Sequence, residues 1–133
     1  MSKPFSLSKF ERLKSKKEID ALFLHGEAFF VYPFKVCFQP IPFSTTAPLR
    51  FVVSAPKKIF KRAHQRNYVK RLIRECYRQQ KHTLIHALQE KHQGMNLMIM
   101  YNQPEIPEYQ KLYPKINLIL QRLINHIHPP SGG

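Results

Sequence analysis

Acidic residues are scarce in this chain: 8 Asp and Glu stand against 22 Lys and Arg, leaving a net charge of +14. So few scattered acids are a poor start for protein-based phosphodiester hydrolysis, and the sequence shows no cluster of them able to hold two metals. Glycine is scarce too, at 4 residues, and no Gly-rich phosphate loop or Ser-His-Asp arrangement can be traced. The two cysteines, Cys37 and Cys76, have neither metal-ligand spacing nor the number for a disulfide framework. Cys76 falls on the apolar side of a predicted helix and reads as a small reduced core residue. No apolar run approaches the roughly 18 residues of a membrane span. Nor does the start, Met1-Ser2-Lys3-Pro4, hold the apolar stretch of a signal peptide. A reducing cytoplasmic compartment, with no membrane partner, is the expectation.

What is present is a single domain's worth of chain. Its 133 residues are 43% hydrophobic, enough for one core without metals or staples. We read residues 1–128 as one domain and residues 129–133 (PPSGG) as an unstructured tail. A compact domain with this excess of cations suffers self-repulsion, and an extended polyanion is the partner that offsets it.

The expected elements follow from periodicity. Ile19, Leu22 and Phe23 fall at helical spacing over residues 16–24, with Ser15 as N-cap, Glu18 three places on and Gly26 as the stop. Residues 29–39 alternate as a strand, with Phe34, Val36 and Phe38 on the core side and Lys35 and Cys37 on the other. Pro40 and Pro42 are expected to end it. Residues 49–54 form a second strand. A long helix is predicted over residues 62–80, resuming over 83–91 and closed by Gly94. Residues 95–101 are apolar almost throughout, as in a strand buried on both faces. After the proline-punctuated segment 102–114, a last helix carries Ile116, Ile119, Leu120, Leu123, Ile124 and Ile127 in one stripe. The order argues an α+β fold, a two-layer sandwich of a small sheet with helices mainly on one face.

Residues 57–78 read KKIFKRAHQRNYVKRLIRECYR. Nine of these 22 positions are Lys or Arg, and Glu75 is the sole acid. On a helix Val69, Leu72, Ile73, Cys76 and Tyr77 share one side, while Arg62, Arg66, Lys70, Arg74 and Arg78 recur every fourth residue on another. Like charges one turn apart repel by a few tenths of a kcal/mol, about 0.2–0.5 per pair. A row of phosphates would turn that cost into binding energy.

The run Arg66-Asn67-Tyr68-Val69-Lys70-Arg71-Leu72-Ile73-Arg74-Glu75 resembles the signature helix of the bacterial ribonuclease P protein family. So do the strand ending Val53-Ser54-Ala55-Pro56-Lys57-Lys58 and the Phe23-Leu24-His25-Gly26 end of the first helix. The resemblance spans roughly residues 12–126. Tyr68 departs from it, standing where the family usually has the second arginine of an Arg-Asn-Arg motif.

The resemblance implies a division of labour in which an RNA is the catalyst and the protein assists it. It implies binding of the catalytic RNA through the basic helix, and of the 5′ leader of precursor tRNA in a cleft between a helix and the sheet. Magnesium would be held mainly by the RNA, and no residue of the protein would be catalytic. It further implies a left-handed β-α-β crossover, against the usual right-handed rule, and a monomer in a one-to-one complex with the RNA.

Within that frame Lys57, Lys58, Lys61 and Arg62 are expected to touch RNA backbone with little sequence preference. Arg66 and Asn67 offer a planar guanidinium and an amide for geometric recognition. Tyr68, Lys70, Arg71 and Arg74 complete the RNA-binding set. Base stacking needs aromatic platforms beside cations, for which Phe23, Phe29, Phe30, Tyr32 and Phe34 near Lys35 are available. Phe23, at a leader-contacting position of the family, is assigned to the leader with Tyr32 and Lys35; Phe34 and Phe38 go to the core. His82 with His86, and His126 with His128, lack a thiol or acid partner at suitable spacing and read as solvent-facing.

A generic RNA-binding module of the translation machinery is the alternative. A helix-turn-helix DNA binder fits the long uninterrupted basic helix poorly.

Overall fold

The computed structural model describes residues 9–129. Residues 1–8 and 130–133, with the signal-peptide reading of the start and most of the segment read as a tail, lie outside it. After a short 3-10 turn at Lys9–Glu11, the elements are α1 (Lys16–His25), β1 (Glu27–Val31), β2 (Phe34–Ile41), β3 (Leu49–Ser54), α2 (Ala63–Gln80), α3 (His82–Glu90), β4 (Gly94–Tyr101) and α4 (Tyr109–Ile127). The four strands form one mixed sheet in the order β1-β2-β4-β3, antiparallel except for the parallel β3–β4 pair. α2 and α3 supply the crossover between those parallel strands. The fold is the α+β sandwich expected.

Alternation along the strands decides which face is covered. Leu49, Phe51 and Val53 of β3, Phe34, Val36 and Phe38 of β2, and Leu97 and Ile99 of β4 all turn to one side. There they meet α2, α3 and α4 in a single large cluster. The α4 stripe of Ile116, Ile119, Leu120, Leu123 and Ile127 is buried against it. Tyr77 of α2 stacks on Phe51 with ring centroids 3.8 Å apart. On the opposite face, among the described residues, α1 and the segment before it pack, through Leu13 and Leu22 on Cys37 and Met98.

Several expectations change in detail. Residues 29–39 are two strands, not one: β1 and β2 form a hairpin turning at Tyr32-Pro33. A hairpin with so apolar a turn carries none of the Asn-Gly or Asp-Gly signals that mark one in a sequence. Pro40 lies inside β2 and does not end it. The β1 ladder stops at the Glu27–Phe38 pair, so Pro40 sits where β2 has β4 on one side only, an edge position that tolerates a missing N–H. Pro114 lies within α4. Its lost N–H leaves the Gln110 carbonyl without its helical donor, and the helix continues because Leu112 and Ile116 on either side are both buried.

Both glycine expectations also shift. Gly26 ends α1 with φ −75°, so it is not there for a left-handed conformation. A Cβ at Gly26 would lie 2.5 Å from the Leu22 carbonyl oxygen and 2.8 Å from that of Phe38, so the last turn of α1 and the close approach of β2 together demand glycine. The left-handed residue after α3 is His92, with φ 53°, and Gly94 is the first residue of β4.

Candidate nucleic-acid interface

α2 forms where its sequence has an apolar stripe and turns that stripe inward. Val69, Ile73, Cys76 and Tyr77 are buried, while Arg62, Asn67, Tyr68, Arg71 and Arg74 remain exposed. The helix starts at Arg62 without a side-chain cap and has no acid in its first turn. Cations at that positive end of the helix dipole are unfavourable in the free protein. The approach adds exposed Lys57, Lys58 and Lys61. The predicted RNA-binding residues therefore gather on one helix and the turn before it.

The row is less uniform than its spacing suggests. Arg66 is half-buried, and its Nη1 donates to the carbonyl oxygens of Phe60 (2.7 Å) and Lys61 (3.0 Å). It thus fixes the basic approach to the helix. Arg78 donates to the Glu75 carboxylate, which holds that carboxyl below its usual range, chiefly through this bond. Tyr68 is 42% exposed, with the Arg71 guanidinium 5.6 Å from its ring centre. Tyr68 thus presents a cation–π pair to solvent at the position where an arginine would be usual.

On the other face of the sheet, register lines up one row across all four strands. Phe30 pairs with Lys35, Lys35 with Met100, and Met100 with Ser54. Phe30 is exposed, and the other three are half-buried. Beside this row α1 leaves Phe23 51% exposed, and the Lys35 ammonium lies 5.1 Å from the Phe23 ring centre and 6.0 Å from that of Phe30. The structure thus brings Phe23 and Lys35 together and adds Phe30 as a second platform. Tyr32 sits apart from their row, at the hairpin turn, where it lines a groove with Tyr101, Ile106 and Lys111. Phe34 and Phe38 are in the core, as expected.

Sequence reasoning missed Arg12 and Lys14. They lie before α1 and line a cleft with Lys70 and Arg74 of α2, over β3 residues 51–53. No helical or strand period links positions 12 and 14 to 70 and 74, so only the tertiary fold reveals the grouping. The Arg74 guanidinium is held below its usual value, first by partial burial and then by the neighbouring charge of Arg12.

The histidines need one correction. His86 does have an acid partner, Glu90 one turn on, with Nδ1 2.9 Å from a carboxylate oxygen. His126 approaches Glu27 at 3.5 Å and packs edge-on against Phe38. His82, His86 and His126 are exposed, while His128 is half-buried. Among the described residues no group of three or more His, Cys, Asp or Glu side chains is placed to hold a metal ion.

Comparison with known proteins adds independent weight. The family described as Ribonuclease P matches residues 7–123. The chain is 37% identical over 129 residues to the "Ribonuclease P protein component" of Porphyromonas gingivalis, covering 97% of this chain and 93% of the relative. The protein of that name from Chlorobaculum tepidum is 28% identical over 136 residues, with coverages of 95% and 88%. Among solved structures, the RNase P protein from Thermotoga maritima superposes with a TM-score of 0.64 at 21% identity, covering 84% of this chain and 96% of that one. A Staphylococcus aureus RNase P protein gives 0.61 at 18% identity, with coverages of 84% and 94%. At those identities the structures speak for the fold, and the fold agrees with the sequence match.

Proposed function

The chain belongs to the ribonuclease P protein family, and from that premise we propose that it is the protein subunit of a ribonuclease P ribonucleoprotein. In this reading it binds the catalytic RNA through α2 and its basic approach, and the 5′ leader of precursor tRNA through the Phe23–Lys35 row. It thereby assists magnesium-dependent endonucleolytic removal of the leader to give the mature tRNA 5′ end. The observation that carries the reading is the division of α2, whose apolar stripe turns into the core against α4 and β3 while its cations, hardly offset by acids, face outward.

The physical logic is additive. Each Lys or Arg that neutralises a phosphate releases condensed counterions, so affinity is gained without sequence preference and falls steeply with salt. Lys57, Lys58, Lys61, Arg62, Lys70, Arg71 and Arg74 supply that term. A base of the leader stacked on Phe23 or Phe30 would add about 1–3 kcal/mol, and Lys35 beside both rings would meet the adjoining phosphate. A protein that grips RNA and leader together holds the scissile bond near the catalytic RNA, which is catalysis by positioning.

Among the described residues no group of three or more His, Cys, Asp or Glu side chains is placed to hold a metal ion, and in this reading magnesium belongs to the RNA. The partners are the catalytic RNA and precursor tRNA, in a complex with one copy of this chain. The cytoplasm is the proposed compartment, and no helix among the described residues is long and apolar enough to cross a membrane.

The test is cleavage of precursor tRNA by a bacterial ribonuclease P RNA at low magnesium, with and without this protein, beside a protein-alone control. Cleavage that needs both components is the expected result. Binding without stimulation would reduce the chain to a generic RNA-binding module.

A further inference from the structure

The cleft between the segment before α1 and the second and third turns of α2 is built from four cations. Leu13 donates its backbone N–H to the Phe51 carbonyl oxygen at 2.9 Å and buries its side chain in the core. This short parallel bridge along the edge of β3 fixes where the flanking Arg12 and Lys14 stand. Across from them Lys70 and Arg74, one helical turn apart, line the same cleft of about 340 Å³, whose floor is Phe51, Val52 and Val53.

Among the described residues no acid lines this cleft. The acids nearest in sequence are engaged elsewhere: Glu11 with the buried Lys81, Glu18 with Arg50 and Glu75 with Arg78. Among the described residues Arg12, Lys14, Lys70 and Arg74 form no ion pair. Four like charges gathered over an apolar floor repel one another in the free protein; the Arg74 guanidinium is held below its usual value first by partial burial and then by the charge of Arg12. A group serving only to hold the segment to α2 would be built with alternating signs.

We propose that this cleft is a seat for a backbone phosphate of the catalytic RNA, with Arg12 and Lys14 closing from one side and Lys70 and Arg74 from the other. It rests on the proposed function and extends it. The RNA footprint then leaves α2, crosses the edge of β3 and reaches the segment before α1, so that one phosphate ties two parts of the chain distant in sequence. The bidentate fork of an arginine on each wall suits the tetrahedral oxygens of a phosphate.

The test compares the full chain with Arg12→Gln/Lys14→Gln, which keeps most of both stems, and with Lys91→Gln/Lys111→Gln, which removes the same charge far from the cleft. Affinity is measured across a salt series in two arms, catalytic RNA alone and precursor tRNA alone. In the first arm the cleft variant is expected to bind about tenfold more weakly and to flatten the log–log salt slope by about 0.7–0.9 per lost contact. The distant pair should change the slope by less than half of that. Loss confined to the precursor tRNA arm would overturn the assignment to catalytic RNA. Equal effects of the two variants would reduce the cleft to net charge alone.

If the unaltered chain shows no salt-dependent affinity for either RNA, it is the proposed function that fails. A salt-sensitive parent with an unaffected cleft variant rejects the phosphate seat alone. The melting temperature of the free cleft variant should equal or exceed that of the parent, because repulsion is relieved. A lower melting temperature, with RNA affinity intact, would make Arg12 and Lys14 structural and overturn the proposal.

Discussion

On one side of the sheet three helices bury Leu49, Phe51, Val53, Val36, Leu97 and Ile99 completely or nearly so; on the other, α1 and the segment before it leave Lys35, Gln39, Arg50, Val52, Ser54 and Met100 half-exposed. The same four strands present both faces, one residue out of phase. The difference shows how a small domain can hold its fold while keeping a working surface: stability resides in the closed face, and cations and aromatic rings occupy what the open face and the outer side of α2 leave free. Exposed Phe23 and Phe30 are unwelcome in a soluble monomer unless something else covers them, and a single-stranded leader has the chemistry to do so.

Truncations should separate the faces most sharply. Leu123→Ala on α4, where the side chain is fully buried, is expected to destabilise by about 2–5 kcal/mol in denaturant unfolding. Met100→Ala, half-exposed on the open face, should cost much less. Equal losses would break the comparison.

Next in size is the tie between the segment before α1 and the core. Lys81 is only 1% exposed and pairs with Glu11, so Glu11→Ala deprives a buried ammonium of its carboxylate. A cost of about 3 kcal/mol is expected, read as a lowered unfolding midpoint.

On the open face the larger functional effect belongs to Phe23. Removing its ring in Phe23→Ala should weaken leader-bearing precursor by about 1–3 kcal/mol while leaving mature tRNA almost untouched. Equal weakening of both would show that Phe23 only packs.

The smallest effect distinguishes the two thiols. Burial pushes Cys76, on the inner side of α2, up to about 11, and also raises Cys37, on the open face, where Lys35 counters it. In a native-state alkylation series near pH 8.5, Cys37 should react before Cys76. Because the folded thiol of Cys76 holds its proton more tightly than an unfolded one, with its usual value of about 8.5, its contribution to stability is complete below that pH. It is lost as pH rises toward about 11.

Much of this arrangement could be read from the chain. The α4 stripe, the two-sided burial of β4 and the split of α2 into apolar and basic sides are periodic signals, and the elements formed within a residue or two of their expected places, apart from the strand over 29–39, which is two, and the start of α4. The β1–β2 hairpin escaped because Phe-Val-Tyr-Pro-Phe lacks the Gly, Asn or Asp that mark a two-residue hairpin turn. The α4 start was placed too late because Pro114 reads as a breaker until the buried neighbours that override it are known. Of the interface, α2 was legible because nine cations lie close in sequence. The pairing of Arg12 and Lys14 with Lys70 and Arg74 was not, since it depends on a strand edge bringing together positions nearly sixty residues apart. Phe30 was available as a platform, but only register places it beside Lys35 and Phe23.

The most direct measurement is lysine acetylation footprinting of the full chain, alone and with ribonuclease P RNA and precursor tRNA, read residue by residue by mass spectrometry. Lys14, Lys35, Lys57, Lys58 and Lys70 should lose reactivity in the complex, while Lys91 and Lys111, exposed on α4 and beyond α3, keep theirs. Protection of Lys91 and Lys111 with Lys35, Lys57 and Lys70 still reactive would contradict the account, because the RNA would then lie against the closed side of the molecule.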